Sequence, residues 1–198
     1  MNLAHLSIPV MLRDGHTVTI RSMQAQDGPA VFEFFCTIPE EDRLFLRDDV
    51  TSPAWLERFL RQIDYASMVP LLAEYEGKVV GNATLYRPLY GWSAHVGEIR
   101  VAVARAWQRQ GLGTALAREL VKIAIDAGLE KIVASVVDNQ TGAKRAFEKL
   151  GFHPEAVLKG HVKDIRGKRR DLFLLANDVS HIWEAMESIT RDYSPSQG

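Results

Sequence analysis

The chain has 198 residues, 46% of them hydrophobic and 25% charged, with a formal net charge of −1 at pH 7. That length suits one domain with a substantial core, and so balanced a charge supplies no general field to attract nucleic acid or an anionic membrane. The single cysteine, Cys36, excludes an internal disulfide and fits a reducing compartment.

Met1–Leu12 lacks the basic start and long apolar core of a signal peptide, and no window reaches the length of a membrane span, so a cytoplasmic protein is expected. Ile8 and Val10 on one arm and Val18 and Ile20 on the other predict a hairpin about Leu12-Arg13-Asp14-Gly15-His16, with Asp-Gly supplying the positive φ angles of a tight turn. Gln26–Phe35 reads as a helix with Asp27 near its start. Cys36, among Phe34, Phe35 and Ile38, reads as a small buried hydrophobe. Ser52-Pro53 opens a helix that carries Trp55, Leu56, Phe59, Leu60 and Ile63 at helical spacing.

Strands are predicted over Val69–Tyr75, Lys78–Arg87 and His95–Val103, the first two joined at Glu76-Gly77. A helix from Leu112 to about Ala127, stopped by Gly128, presents Leu112, Leu116, Leu120, Ile123 and Ala127 on one face, so it packs on a sheet. Lys131–Val137 is short and β-branched, as suits a strand buried on both faces. Thr141–Leu150 is a helix ended by Gly151. Phe152–Asp164 and Lys168–Asp178 form a hairpin around Arg166-Gly167, and Ser180–Arg191 is a terminal helix before a mobile tail at 192–198. One α/β domain over 1–198 is expected, with 1–11 as an N-terminal extension or strand and helices on both faces of a twisted sheet.

The most informative segment is Gln108-Arg109-Gln110-Gly111-Leu112-Gly113-Thr114, at the start of the long helix. Glycines one residue apart let backbone N–H groups converge, and the helix dipole aims its positive end at the same point, so the loop suits a phosphate or pyrophosphate. A Walker loop would need Gly-Lys-Ser or Gly-Lys-Thr, but Thr114 and Ala115 follow Gly113. A dinucleotide loop would want Gly or Ala where Leu116 stands, directly behind a strand, whereas Ala104–Arg109 intervenes.

With Gln108, Gly111 and Gly113 in register, the segment resembles the signature of the GNAT superfamily of acyl-CoA-dependent N-acetyltransferases: Gln or Arg, two residues, Gly, one residue, Gly or Ala. The neighbouring elements agree, and Ala146–Phe152 looks like the family's helix ending before its sixth strand; the likeness runs from Val18 to Asp178. It implies a GNAT-like mixed, mostly antiparallel sheet and acetyl-CoA as the acyl donor. Gln108, Arg109, Gln110, Gly111, Leu112, Gly113 and Thr114 would hold the pyrophosphate. Val101, Ala102 and Val103 would offer backbone groups to the pantetheine arm and thioester, and Asn139, at the next helix start, would touch the arm or act as an N-cap. No metal is implied, and the six histidines show no ligand spacing.

Acetyl transfer needs a neutral amine, and an ordinary lysine titrates near ~10.4, so a base is required. Strand alternation puts Glu98, Arg100 and Ala102 on one face and Ile99, Val101 and Val103 on the other. A carboxylate there must be paired or face a cleft. In enzymes that this chain resembles, a glutamate at the matching place is often the base; the alternative is a structural pair of Glu98 with Arg100. Many relatives carry Tyr where Phe147 stands, with its hydroxyl protonating the departing thiolate. That acid is open among Tyr86, Tyr90, His153, Ser135 and water, or the thiolate leaves unassisted.

Within the superfamily, Leu12–Gly15, Val18–Arg21, Gln62–Tyr65 and Trp107-Gln108 are similar to the acetyltransferase domains of bacterial Pat-type protein-lysine acetyltransferases. The resemblance implies an amine acceptor, a protein lysine or a small amine, and leaves a dimer open. Lys163, Arg166, Lys168, Arg169 and Arg170 read as a solvated turn, and Trp107 as packing for the loop. A non-catalytic acetyl-CoA sensor or interaction module is the competing class.

Overall fold

A computed structural model describes residues 3–178. The expected terminal helix and tail, Ser180–Arg191 and 192–198, lie outside the described residues. The strands are β1 (Ser7–Met11), β2 (Thr17–Ser22), β3 (Met68–Tyr75), β4 (Lys78–Tyr86), β5 (Val96–Val103), β6 (Lys131–Val137), β7 (His153–Lys163) and β8 (Arg169–Asp178). Among the described residues they form an 8-stranded sheet in the order β1-β2-β3-β4-β5-β6-β8-β7. Every neighbouring pair is antiparallel except β5 and β6, which run parallel.

The helices are α1 (Gly28–Thr37), α2 (Glu40–Arg43), α3 (Pro53–Arg61), α4 (Leu112–Asp126) and α5 (Thr141–Lys149). They cover both sheet faces because β3 is apolar on both sides. Val69, Leu71 and Ala73 join the core beneath α4 and α5, with Leu112, Leu116, Leu120, Phe147 and Leu150. Met68 and Leu72 join a second core beneath α1 and α3, with Phe34, Phe35, Trp55 and Phe59. Of the stripes expected on α3 and α4, Trp55 and Phe59 on the first and Leu112, Leu116, Leu120 and Ile123 on the second are buried, while Leu56, Leu60, Ile63 and Ala127 are half-buried.

The differences from expectation are local. The first hairpin does not turn on a two-residue Asp-Gly pair. Its loop runs from Leu12 to His16, with Gly15 N–H bonded to the Leu12 carbonyl and only Gly15 of the two at positive φ (+88°). That is the turn-plus-bulge alternative, which spares Asp14 the left-handed region. Glu76-Gly77 is the tight one, both residues at positive φ. The helix expected at Gln26 begins with a short 3₁₀ turn, Ala25–Asp27, because Asp27 turns its carboxylate back to Gln24 N–H and to Arg21. Cys36 is exposed, since Val31, Phe34 and Phe35 take the buried side of α1 and leave it on the opposite one. Finally, α2 and the irregular segment up to Ser52 fill what the sequence left without an element.

Candidate active site

The parallel strands β5 and β6 pair at Val96–Lys131, Gly97–Ile132 and Glu98–Val133, and no further. Beyond that row each keeps its outer neighbour: β5 stays on β4 to Val103, and β6 stays on β8 to Val137. The sheet therefore opens between them. Ala104 N–H donates to the Val80 carbonyl, so alternation turns the backbone groups of Ala102 toward β4 and those of Val101 and Val103 toward the opening. Val103 already lends its carbonyl to the Gln108 side-chain amide (3.2 Å), which ties the loop back to the strand.

At the wide end of the opening stands the Gln108–Thr114 loop. Arg109 (φ +63°) and Gly111 (φ +95°) are both left-handed around Gln110, a sign alternation that turns backbone N–H groups to one side. Helix α4 then starts without a side-chain cap, and the N–H groups of Leu112, Gly113 and Thr114 make no hydrogen bond among the described residues. A Cβ on Gly113 would stand 3.7 Å from Val103 Cγ2 and 4.0 Å from Val101 Cγ1, ordinary contact distances. The fold thus has room for a side chain there, and what glycine keeps open is the approach to the helix N-terminus. Arg13 adjoins Gly111, and its N–H donates to the Gln110 carbonyl. Neither Arg13 nor Arg109 has a carboxylate partner among the described residues. Trp107 packs against His16 and Tyr75 and anchors the loop as expected. Donors, dipole and free cations fit the phosphates of an acyl-CoA.

At the narrow end, Glu98 points to the α1–α3 face, in line with alternation. It is held from both sides. Arg47 Nη2 lies 3.1 Å from Oε1 and its Nη1 donates to Oε2 at 3.3 Å, while Arg100 donates through Nε to Oε1 at 3.2 Å. Arg47 also donates to the Ser135 hydroxyl at 3.0 Å, bridging the lips of the opening. Arg100 in turn lies 4.5 Å over the Tyr86 ring. Arg100 was legible as a partner at i+2 on one strand face; Arg47 was not, because nothing periodic marks the segment after α2. That segment is drawn in by Arg105, which pairs with Glu41 and with Asp42 on α2.

A cleft of about 760 Å³ opens beside Glu98, lined also by Tyr86, Arg87, Met68, Asp64 and Val133. Burial pushes the Tyr86 phenol up, against the opposing charge of Arg100, so it stays protonated. Of the side chains considered as the acid, Tyr86 lines this cleft; Tyr90 is 86% exposed, and His153 is exposed on β7. Phe147 sits in the core against Phe152. Asn139 does not cap α5: Gln140 holds that position, its side-chain oxygen accepting from Val137 N–H. One residue earlier, Asn139 is exposed and its side chain makes no bond among the described residues. Among those residues no cluster of three or more His, Cys, Asp or Glu is arranged for a metal, and no helix is long and apolar enough to cross a membrane.

The chain is similar to known proteins in sequence and in fold. A family model described as the acetyltransferase (GNAT) family matches residues 31–152. Over 111 residues the chain is 27% identical to YwnH of Bacillus subtilis (strain 168), provisionally named a phosphinothricin acetyltransferase, covering 55% of this chain and 68% of that protein. The GNAT domain of S. lividans PAT superposes with a TM-score of 0.72 at 22% identity, covering 87% of this chain and 96% of that one. Mycobacterium smegmatis RimJ, solved with CoA-disulfide, superposes at 0.71 and 20% identity, covering 93% and 94%. The structural likenesses establish a shared fold.

Proposed function

The chain belongs to the acetyltransferase (GNAT) family, and from that premise we propose that it moves an acetyl group from acetyl-CoA to a primary amine by direct attack, with Glu98 receiving the amine proton. The observation that carries this reading is the parting of β5 and β6 immediately after the row that holds Glu98, with an uncapped helix N-terminus at the far end. Phosphates belong at Gly111–Thr114, helped by Arg13 and Arg109; the arm belongs along Val101 and Val103, with Asn139 across the opening. The thioester then comes to the narrow end, beside the carboxylate.

In the reaction the amine nitrogen bonds to the thioester carbonyl carbon and the carbon–sulfur bond breaks. The amine proton passes to Glu98, directly or through one water, once Arg47 yields its place. The sulfur takes a proton from Tyr86, which lines the same cleft as Glu98, or leaves as thiolate, which a thiol pKa near ~8.5 tolerates. Lysine side chains of proteins and small amines both satisfy this chemistry.

The test is CoA-thiol release from acetyl-CoA against small amines, amino acids, polyamines and lysine peptides, with an amine-free control and acetyl-CoA affinity measured separately. Release above control with at least one amine, lost by about 10²-fold or more in Glu98→Gln with affinity retained, is the expected result. Tight acetyl-CoA binding with no release on any amine would replace this reading with that of a sensor.

A further inference from the structure

Resting on the N-acetyltransferase reading above, we propose that the acceptor is a small amine that also carries a carboxylate, of amino-acid size, and that Arg87 binds that carboxylate. The charges that line the cleft carry the inference. Asp64 is spent on its own turn, accepting from the N–H groups of Ala66, Ser67 and Met68 and from the Ser67 hydroxyl. Glu98 is spent on Arg47 and Arg100. Arg61 lies 3.7 Å from Glu57. Arg87 is different: it lines the cleft, and among the described residues no carboxylate stands within ion-pair distance of it. Among the described residues its one side-chain bond is from Nη2 to the Tyr65 carbonyl at 3.3 Å, and its Nε is buried with no partner among them.

A tether to the Tyr65 carbonyl does not account for that. A neutral donor would serve a single carbonyl, whereas a guanidinium brings a full charge and further N–H donors into partial burial, a cost that a bound anion would offset. A guanidinium is also the group whose fork matches a carboxylate.

The cleft sets the size of the acceptor. Glu98 and Arg87 line the same cleft of about 760 Å³, with Tyr86, the register partner of Glu98 on β4, immediately before Arg87 in the chain. An amine delivered to Glu98 and an anion delivered to Arg87 inside that one cleft belong to one small molecule. A lysine side chain presented by a protein brings no such anion at a fixed short distance.

The experiment compares matched acceptors in the CoA-release assay: glycine, β-alanine, γ-aminobutyrate and the α-amino acids, each against its own amide, with lysine peptides alongside. At least one carboxylate acceptor should exceed its amide by about tenfold or more in kcat/KM, the discrimination expected of a charge-assisted pair. In Arg87→Gln that ratio should fall toward one through a raised KM for the carboxylate acceptor, and Arg87→Lys should restore part of it; retained acetyl-CoA affinity certifies that the variants are folded. Amides or lysine peptides used as well as the carboxylates, or an unchanged ratio in Arg87→Gln, would overturn the proposal while leaving the N-acetyltransferase reading standing. No release with any amine, despite acetyl-CoA binding, would overturn both.

Discussion

Glu98 and Val133 form the last row at which β5 and β6 pair, so the base candidate sits at the vertex of the opening rather than along one of its arms. Both strands remain ordered past that row because each has an antiparallel partner on its other side. The vacant ladder on β5 is therefore a fixed feature of the sheet, not a frayed end. A chain of donors runs from it to the N-terminus of α4, and an extended ligand is the natural way to satisfy them.

Gly113 tests this directly. Its Cβ would meet Val103 and Val101 at ordinary distances, and alanine is the better helix former. Gly113→Ala is expected to leave thermal stability unchanged or slightly raised, within about 0.5–1 kcal/mol, while raising KM for acetyl-CoA about tenfold or more. Melting curves and steady-state kinetics on one preparation check both halves. A variant that binds acetyl-CoA normally would move the phosphates away from α4.

Arg47 occupies the place that an acceptor amine must reach. Its side chain is half exposed, so the pair with Glu98 contributes little to stability, about 0–1 kcal/mol. Removing it in Arg47→Ala should therefore spare the fold and lower KM for the acceptor several-fold, because the amine no longer competes with a guanidinium for Glu98. KM for acetyl-CoA should stay where it was. A raised acceptor KM would instead make Arg47 part of the acceptor's binding site.

How the sequence foretold some of this and not the rest follows from the range of each interaction. The Gln108–Thr114 loop was legible because glycine spacing and a helix start are local, and the face of Glu98 was legible because strand alternation is local too. Arg47, 51 positions from Glu98 along the chain, reaches it from an irregular segment whose path is set by tertiary pairs such as Arg105 with Asp42. Arg87 looked like the last residue of a strand, and its burial without an anion appears once Tyr65 and Ser67 are folded against it. Asn139 was displaced from the cap by one position because Gln140 folds back onto Val137 N–H, a choice that spacing does not encode.

Tyr86 bears on the thiolate. The Arg100 guanidinium stacks on its ring, a contact that phenylalanine keeps, so Tyr86→Phe removes the hydroxyl and little else. If that hydroxyl protonates sulfur, kcat should fall about tenfold, less than the usual loss for a general acid because a thiolate is a tolerable leaving group. Single-turnover acetyl transfer reads this step apart from product release. An unchanged rate would leave water as the proton source.

Asp64 links the cleft to stability. Burial works to raise its carboxyl, but the Ser67 hydroxyl and the N–H groups of Met68, Ser67 and Ala66 outweigh it and hold it at about 2, below the ordinary 3.8. A carboxyl lower in the folded state favours folding at any pH above the ordinary value, and that contribution disappears as pH falls from 3.8 through about 2. Asp64→Asn keeps one acceptor oxygen and replaces the other, the one facing the Ser67 hydroxyl, with an amide. It should cost about 1 kcal/mol at pH 7, the scale of a lost helix cap, and the deficit should shrink between pH 4 and pH 2, where the wild-type carboxyl takes up its proton. Urea denaturation across that window distinguishes this from a steric defect, which would leave the two curves parallel.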